Sequence, residues 1–294
     1  MLFPRKVLLA TDGSGDATLA ATAAVGLTTK TGSELHIVHA WHSVPSTRFE
    51  SFIRAQLERE AQELLEAQVE KIGAKVARAH LREGATVDEV LDTAEELGAD
   101  LIVMGSRGRG VVKRVVLGSV SEGVVHHTHC PVLVLRGGVE AWPPRRVVIG
   151  DDGSEAARAA ASLAAGIGKL FETGVFLVRA YPELPEMDLE GRTLDARTVE
   201  DELRLEERRL EEQAAQIRGD LGVRTRVRID VGDPAARLLE AAGEQDRAGQ
   251  TLLAVGSRGL GPIGRARLGS VSTKVLRAAK GPVLVCPRDW RAPE

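Results

Sequence analysis

Two stretches of this 294-residue chain combine residue types that hold anions with a spacing that repeats. The first runs Gly105-Ser106-Arg107-Gly108, then nine residues, then Gly118-Ser119-Val120-Ser121. The second runs Gly256-Ser257-Arg258-Gly259, then nine residues, then Gly269-Ser270-Val271-Ser272. Each follows a short apolar run, Leu101-Ile102-Val103-Met104 or Leu252-Leu253-Ala254-Val255, and each leads into a segment with helical character. A buried strand that ends in glycine and feeds a helix start presents unpaired main-chain N–H groups to a negatively charged ligand. Glycine lets that ligand come close where a Cβ would block it. Phosphate is the natural occupant. Gly-x-x-Gly alone occurs in many loops, but the whole spacing, kept in two copies whose other segments differ in length, is far more specific. It is neither the Walker A pattern, which needs Gly-Lys-Ser/Thr, nor the Gly-x-Gly-x-x-Gly that follows a first Rossmann strand.

The doubled motif resembles the nucleotide loop of the ATP-binding branch of the universal stress protein family, and the resemblance covers nearly the whole chain as two family domains in tandem. It implies triphosphate oxygens on the backbone N–H groups of Gly105, Gly108, Gly118 and Ser119, with Val120 and Ser121 in the same turn. The second set is Gly256, Gly259, Gly269 and Ser270, with Val271 and Ser272. Asp12 and Asp152 directly follow the first strand of each half. The resemblance places this aspartate against the nucleoside, where it could also touch Mg2+ through ATP. Read from the residues alone, Asp-Gly-Ser makes an Asx-turn or a helix cap, and the two roles can coexist. Ala40 and Ala180 match a strand-end position whose backbone reads the adenine edge in relatives. Val103 and Val255 fall near where base or ribose would rest, and are core residues as well. Arg107 and Arg258 lie inside the loops, with Lys113, Arg114, Arg265 and Arg267 in the nine-residue spans. Their charge serves either phosphate or solvent.

Competing local readings stand beside these. Ser119-Val120-Ser121-Glu122 fits a capping box, although the second copy has Thr273 in place of the glutamate. His126-His127-Thr128-His129-Cys130 has the residue types of a zinc site, but the matching stretch, Arg277-Ala278-Ala279-Lys280-Gly281, has none. Its place before a Pro-led strand suits a helix C-terminus. All seven histidines fall in the first half, so no histidine is shared as a catalytic base. With no repeated general base and no second carboxylate at the motif, fast hydrolysis is not expected. The reading is therefore a regulatory protein that holds one ATP per domain with little or slow hydrolysis. A slow ATPase or phosphotransferase, and an interaction module that binds AMP, cyclic AMP or no nucleotide, are the alternatives.

These residues need elements to position them. The N-terminal Arg5-Lys6-Val7-Leu8-Leu9-Ala10 and the later Arg145-Arg146-Val147-Val148-Ile149-Gly150 read as equivalent buried strands. Their recurrence divides the chain into domains at 1–138 and 145–294 with a linker at 139–144. Ala-rich helices follow, from 16 to about 30 and from 155 to about 170. Second strands come next at 35–40 and 175–180, then charged helical stretches at 47–72 and 198–221, the second after extra loop over 182–197. Third strands at 76–79 and 226–229 end near Gly84 and Gly232. Helices at 86–97 and 234–244 lead to the glycine loops, and Pro-led last strands cover 131–135 and 282–286. Strands alternating with helices predict an α/β fold. It comprises two tandem open parallel-sheet domains, Rossmann-like, with ligands at the carboxyl ends of the strands. Hydrophobic residues at 43% supply two cores, and aromatics at only 3% leave Val, Leu, Ile and Ala to build them. The formal charge of −3 gives no global attraction to nucleic acid or anionic membrane. No apolar run approaches the roughly 20 residues of a membrane span. Met1-Leu2-Phe3-Pro4 runs into a strand rather than a signal peptide, so a cytoplasmic protein is expected. Cys130 and Cys286 occupy non-equivalent positions and imply no disulfide framework. Family members commonly pair through the last strand, which implies a pseudo-dimer through 131–135 and 282–286, with whole chains dimerising further.

Overall fold

In a computed structural model of the chain, residues 3–43, 50–73, 76–108, 117–181, 196–244, 248–257, 268–288 and 290 are described. Each half repeats one pattern. In the first, strands β1 (Lys6–Ala10), β2 (Glu34–Trp41), β3 (Val76–Glu83), β4 (Leu101–Gly105) and β5 (Val132–Leu135) alternate with helices. These are α1 (Gly15–Thr31), α2 (Glu50–Ile72), α3 (Thr86–Leu97) and α4 (Ser119–His127). In the second, β6 (Arg146–Gly150), β7 (Gly174–Tyr181), β8 (Thr225–Val231), β9 (Thr251–Gly256) and β10 (Val283–Cys286) alternate with α5 (Glu155–Leu170), α6 (Ala196–Leu221), α7 (Pro234–Gly243) and α8 (Ser270–Ala278).

All ten strands form one sheet in the order β3-β2-β1-β4-β5-β10-β9-β6-β7-β8. Pairing is parallel within each half, and the halves meet through β5 and β10, antiparallel, with Val134 opposite Val283 and Val132 opposite Val285. These are the strands from which an intramolecular pseudo-dimer was expected.

The strands are apolar on both faces because helices cover both. Pleating sends Val7 and Leu9 into the layer of α1, α2, α5 and α6, while Leu8 and Ala10 face α3, α4, α7 and α8. Alanine lets the first helix of each half lie close to the sheet. Ala17, Ala20, Ala21, Ala23 and Ala24 of α1 are all buried. A Cβ built at Gly105 would lie 2.7 Å from the Asp16 carbonyl carbon, and one at Gly256 would lie 2.7 Å from the Ala156 Cβ. The start of α1 therefore rests on the end of β4, and α5 on β9, which brings each aspartate turn beside its glycine loop.

Strands β3 and β8 end at Glu83 and Val231, directly before the Gly84 and Gly232 near which they were expected to end, and they pair with β2 and β7 along most of their length. The stretch expected as a linker is packed: it contains a short 3-10 turn at Val139–Ala141, and Trp142, only 5% exposed, meets the Phe171 ring edge-on at 5.2 Å.

Candidate phosphate and nucleoside cavity

The carboxyl ends of β1, β2 and β4 enclose a cavity of about 530 Å3 in the first half, within the range of about 300–1,000 Å3 usual for small-molecule sites. Its apolar end is walled by Ala10, Val38, Ala40, Val90 and Met104. Its polar end is formed by Asp12, Gly105, Ser106, Arg107, Gly108, Gly118, Ser119, Val120 and Ser121. Two helix starts border it, α3 at Thr86 and α4 at Ser119, and neither has a side-chain cap. In contrast, Ser14, Ser154 and Asp233 cap α1, α5 and α7. Helix α4 opens at Gly118, and its first intrahelical bond is Glu122 N–H to Gly118 O. The N–H groups of its first turn thus point to the cavity without a side chain to satisfy them.

Gly118 rather than Ser119 is the N-cap, which overturns the capping-box reading. Ser119 is the first helical residue, and Glu122 turns instead to Arg277. The loop is held by Ser106, a residue absent from the expected site. Its N–H donates to Leu135 O at 2.8 Å, and its carbonyl accepts from Gly118 N–H at 2.7 Å and from Ser121 Oγ at 2.9 Å. Its hydroxyl donates to Asp16 Oδ2 at 2.8 Å. Ser257 repeats the backbone part: its N–H donates to Cys286 O, and its carbonyl accepts from Gly269 N–H at 2.6 Å and Ser272 Oγ at 3.0 Å. The conserved spacing within the chain is therefore a folded loop, closed by one carbonyl in each half. Ser121 and Ser272 are buried in that closure, so their hydroxyls serve the loop.

Asp12 and Asp152 each accept the N–H of the serine two residues on, at 3.0 Å, the Asx-turn expected from Asp-Gly-Ser. The Asp12 carboxylate also lies against the loop, since a Cβ at Gly108 would fall 2.6 Å from its Oδ2. Arg107 donates from Nε to Asp16 Oδ2 at 3.1 Å, and that hydrogen bond raises the already high pKa of its guanidinium. Val103 does not line the cavity: the pleat turns it toward α1, and Met104 takes the cavity-facing place. Val255 stands before Gly256 as Met104 stands before Gly105, and both lie in the α3/α4/α7/α8 layer. Strand parity alone identifies this, since the last residue before the loop glycine is the cavity-facing one.

In the second half Ala180 is the last residue but one of β7, and Gly256, Gly269, Ser270 and Val271 hold places equivalent to the first set. Helix α8 also opens on an uncapped glycine, Gly269. The apolar wall is preserved by exchange. Ala10 and Val90 become Gly150 and Leu238, and a Cβ at Gly150 would lie 2.7 Å from Leu238 Cδ1. Leucine fills the volume that the missing methyl leaves. Beneath this site Asp151 forms an ion pair with Arg179, which also pairs with Glu206 of α6. The first half has Thr11 and His39 there, joined by a 2.8 Å contact from His39 Nδ1 to Thr11 O. Arg258, Gly259, Lys113, Arg114, Arg265 and Arg267, with most of the 182–197 crossover, lie outside the described residues. His126 and His127 close the last turn of α4, and Thr128 is its C-cap. Among the described residues, no group of three or more His, Cys, Asp or Glu could hold a metal ion, and no helix is long and apolar enough to cross a membrane.

The residues present fit an adenine nucleotide: an apolar slot for a base, a carboxylate at the turn, and open N–H groups on a glycine loop for phosphates. Comparison with known proteins identifies the family. The model of the universal stress protein family matches residues 4–136 and again 144–287. A universal stress protein of Thermus aquaticus is 37% identical over 135 residues, which is 45% of this chain and 98% of that one. A crystal structure of a universal stress protein from Archaeoglobus fulgidus superposes over 97% of this chain and 98% of its own, with a TM-score of 0.66 at 23% identity, a likeness of fold. A further solved structure is a universal stress protein in complex with cAMP, 25% identical over 45% of this chain and 97% of that one, with a TM-score of 0.33.

Proposed function

Because the chain belongs to the universal stress protein family, with two of its domains in tandem, we propose that it is a cytoplasmic stress-response regulator that holds one ATP in each half and hydrolyses it slowly or not at all. The observation that carries this reading is the first-half cavity, whose apolar wall ends at two uncapped helix starts and a glycine loop. Such an arrangement binds a base by burial and phosphates by main-chain N–H groups. Val38, Val90 and Met104 would bury the base, the Ala40 backbone would read its edge, and Asp12 would face the ribose. Gly105, Gly108, Gly118 and Ser119 would hold the phosphates. Gly150, Ala180, Val255, Asp152, Gly256, Gly269 and Ser270 would do the same across residues 145–294. Asp12 or Asp152 would help to hold Mg2+ if it is taken up with ATP, and the ion would supply neutralisation of phosphate charge. Among the lining residues Asp12 is the one carboxylate, and it already accepts the Ser14 N–H. A water held for in-line attack would need a second base. Whole chains would associate as homodimers.

Native mass spectrometry of protein purified without added nucleotide is expected to show two ATP masses per chain. Gly118→Val and Gly269→Val should each remove one mass while leaving the circular dichroism spectrum unchanged. Unchanged stoichiometry in both variants would show that the loops are not the sites. Recovery of ADP after incubation would favour an enzyme, and retention of cyclic AMP in place of ATP would favour a different signal.

A further inference from the structure

Helix α8 starts at one loop and ends against the other. Its first turn follows Gly269, and its last turn reaches the first half at two points. Arg277 forms an ion pair with Glu122 in the first turn of α4, its Nε donating at 3.2 Å to Oε1. Arg136, just after β5, donates from Nη1 to Ala279 O, the C-cap carbonyl of α8, at 3.1 Å. Arg136 is only 4% exposed, and its Nε and Nη2 have no hydrogen-bond partner among the described residues. Its nearest strong fields are those of Asp16, which attracts it, and Arg107, which repels it. Those two residues hold the first loop together.

The internal repeat provides a control. Glu122, Arg277 and Arg136 correspond to Thr273, His126 and Pro287, which can form neither the ion pair nor the bond to a helix carbonyl. The brace therefore runs from the first loop to the end of α8 and has no mirror image. A buried guanidinium with one neutral acceptor is costly to keep charged. Burial pushes Arg136 down to about 10, with Arg107 adding to the effect. An anion on the first loop would sit beside Arg107, which lines the cavity, and would offset the repulsion that Arg107 exerts on Arg136. With that repulsion offset, the Arg136 guanidinium would hold its charge-assisted bond to the negative end of the α8 dipole more firmly. At 1.5 Å per residue this nine-residue helix is about 14 Å long, and its positive end is the second loop.

We propose that α8 couples the two loops: an anionic ligand on the first, felt through Arg136 and the Glu122–Arg277 pair, firms α8 and raises the affinity of the second. This rests on reading the loops as phosphate sites. Coupling free energies between sites usually correspond to about 5–150-fold in affinity, and the effect here is expected at the lower end, roughly fivefold. The experiment is calorimetric titration of the full chain with ATP, with amide exchange followed over 275–279. In the wild type, ATP should slow exchange in the last turn of α8, and Gly118→Val should weaken binding at the second loop roughly fivefold. Arg136→Gln should reproduce that weakening and add nothing in combination with Gly118→Val. Glu122→Gln, a surface change that leaves the core intact, should produce part of it, so a folding defect in the Arg136 variant is not mistaken for uncoupling. If ATP binds but the second loop is as tight in Gly118→Val as in the wild type, the coupling is overturned while the nucleotide reading stands. If ATP binds to neither half, the nucleotide reading fails and takes the coupling with it.

Discussion

A methyl group at position 105 would fall 2.7 Å from the Asp16 carbonyl carbon and 2.8 Å from the Ala17 nitrogen, both backbone atoms at the start of α1. Gly105→Ala must therefore move α1 off β4 and should cost about 1–3 kcal/mol, the usual range for overpacking, measured by chemical denaturation. Gly150→Ala meets a side chain instead, Leu238 Cδ1 at 2.7 Å. It should cost a similar amount alone, and Leu238→Val in the same chain should restore most of the loss, because that pair recreates Ala10 and Val90. A double-mutant cycle showing simple additivity would contradict the exchange. At this scale the sequence was legible where glycine, serine and aspartate recur at fixed spacing, since only a particular backbone needs them. It was less so for Ser106 and Met104. Serine beside glycine is unremarkable until its carbonyl closes the loop, and Val103 and Met104 are both apolar strand residues that only the pleat assigns to opposite faces. The Ala10–Val90 and Gly150–Leu238 exchange joins residues about 80 apart and has no local signature.

Elements carry the pH dependence. On the β3 edge His80 Nε2 lies 3.4 Å from His36 Nδ1, with Arg78 and Arg82 beside it, Glu96 pairing with Arg82, and Glu34 pairing with His36. Burial, then His36, then the two arginines lower the His80 pKa below 6.5. The unfolded chain therefore takes up a proton before the folded one does, and stability falls as pH drops from above 6.5 toward the folded value. His80→Gln should flatten that part of a melting-temperature profile. In the second half Glu244 holds Arg146 at 3.0 Å and also pairs with Arg228, and Arg146 first, then Arg228, lower its pKa. Its contribution is present above the ordinary glutamate range and is lost as pH falls through the lowered value. Glu244→Gln should destabilise at neutral pH by about 0.5–1 kcal/mol, since solvent screens the half-exposed Glu244 carboxylate, with the difference from wild type closing in acid. Helix and strand order could be read from apolar runs and Ala-rich segments. The ends of β3 and β8 could be read from Gly84 and Gly232, although edge strands such as Val-Ala-Arg-Ala-His-Leu-Arg-Glu carry little apolar contrast along their length and are held by pairing with one neighbour.

At the scale of the molecule, the Pro-led last strands of the two halves are the joint. Val283 is fully buried opposite Val134, so Val283→Asp would bury an unpaired charge. It should cost 3 kcal/mol or more, on the order of other such lesions. With one sheet running through both halves, calorimetry should show a single unfolding transition in the wild type. Two separate transitions would mean that the halves fold independently despite the shared strands. The antiparallel joint also fixes direction. Strands within a half run parallel, so reversing β10 against β5 reverses β9 against β4. The two glycine loops consequently open at opposite rims of the sheet, facing away from each other. No flat partner can rest on both, so a reader of the fully loaded state must either clasp the whole chain or arrive as two copies, leaving the chain as the bridge between them.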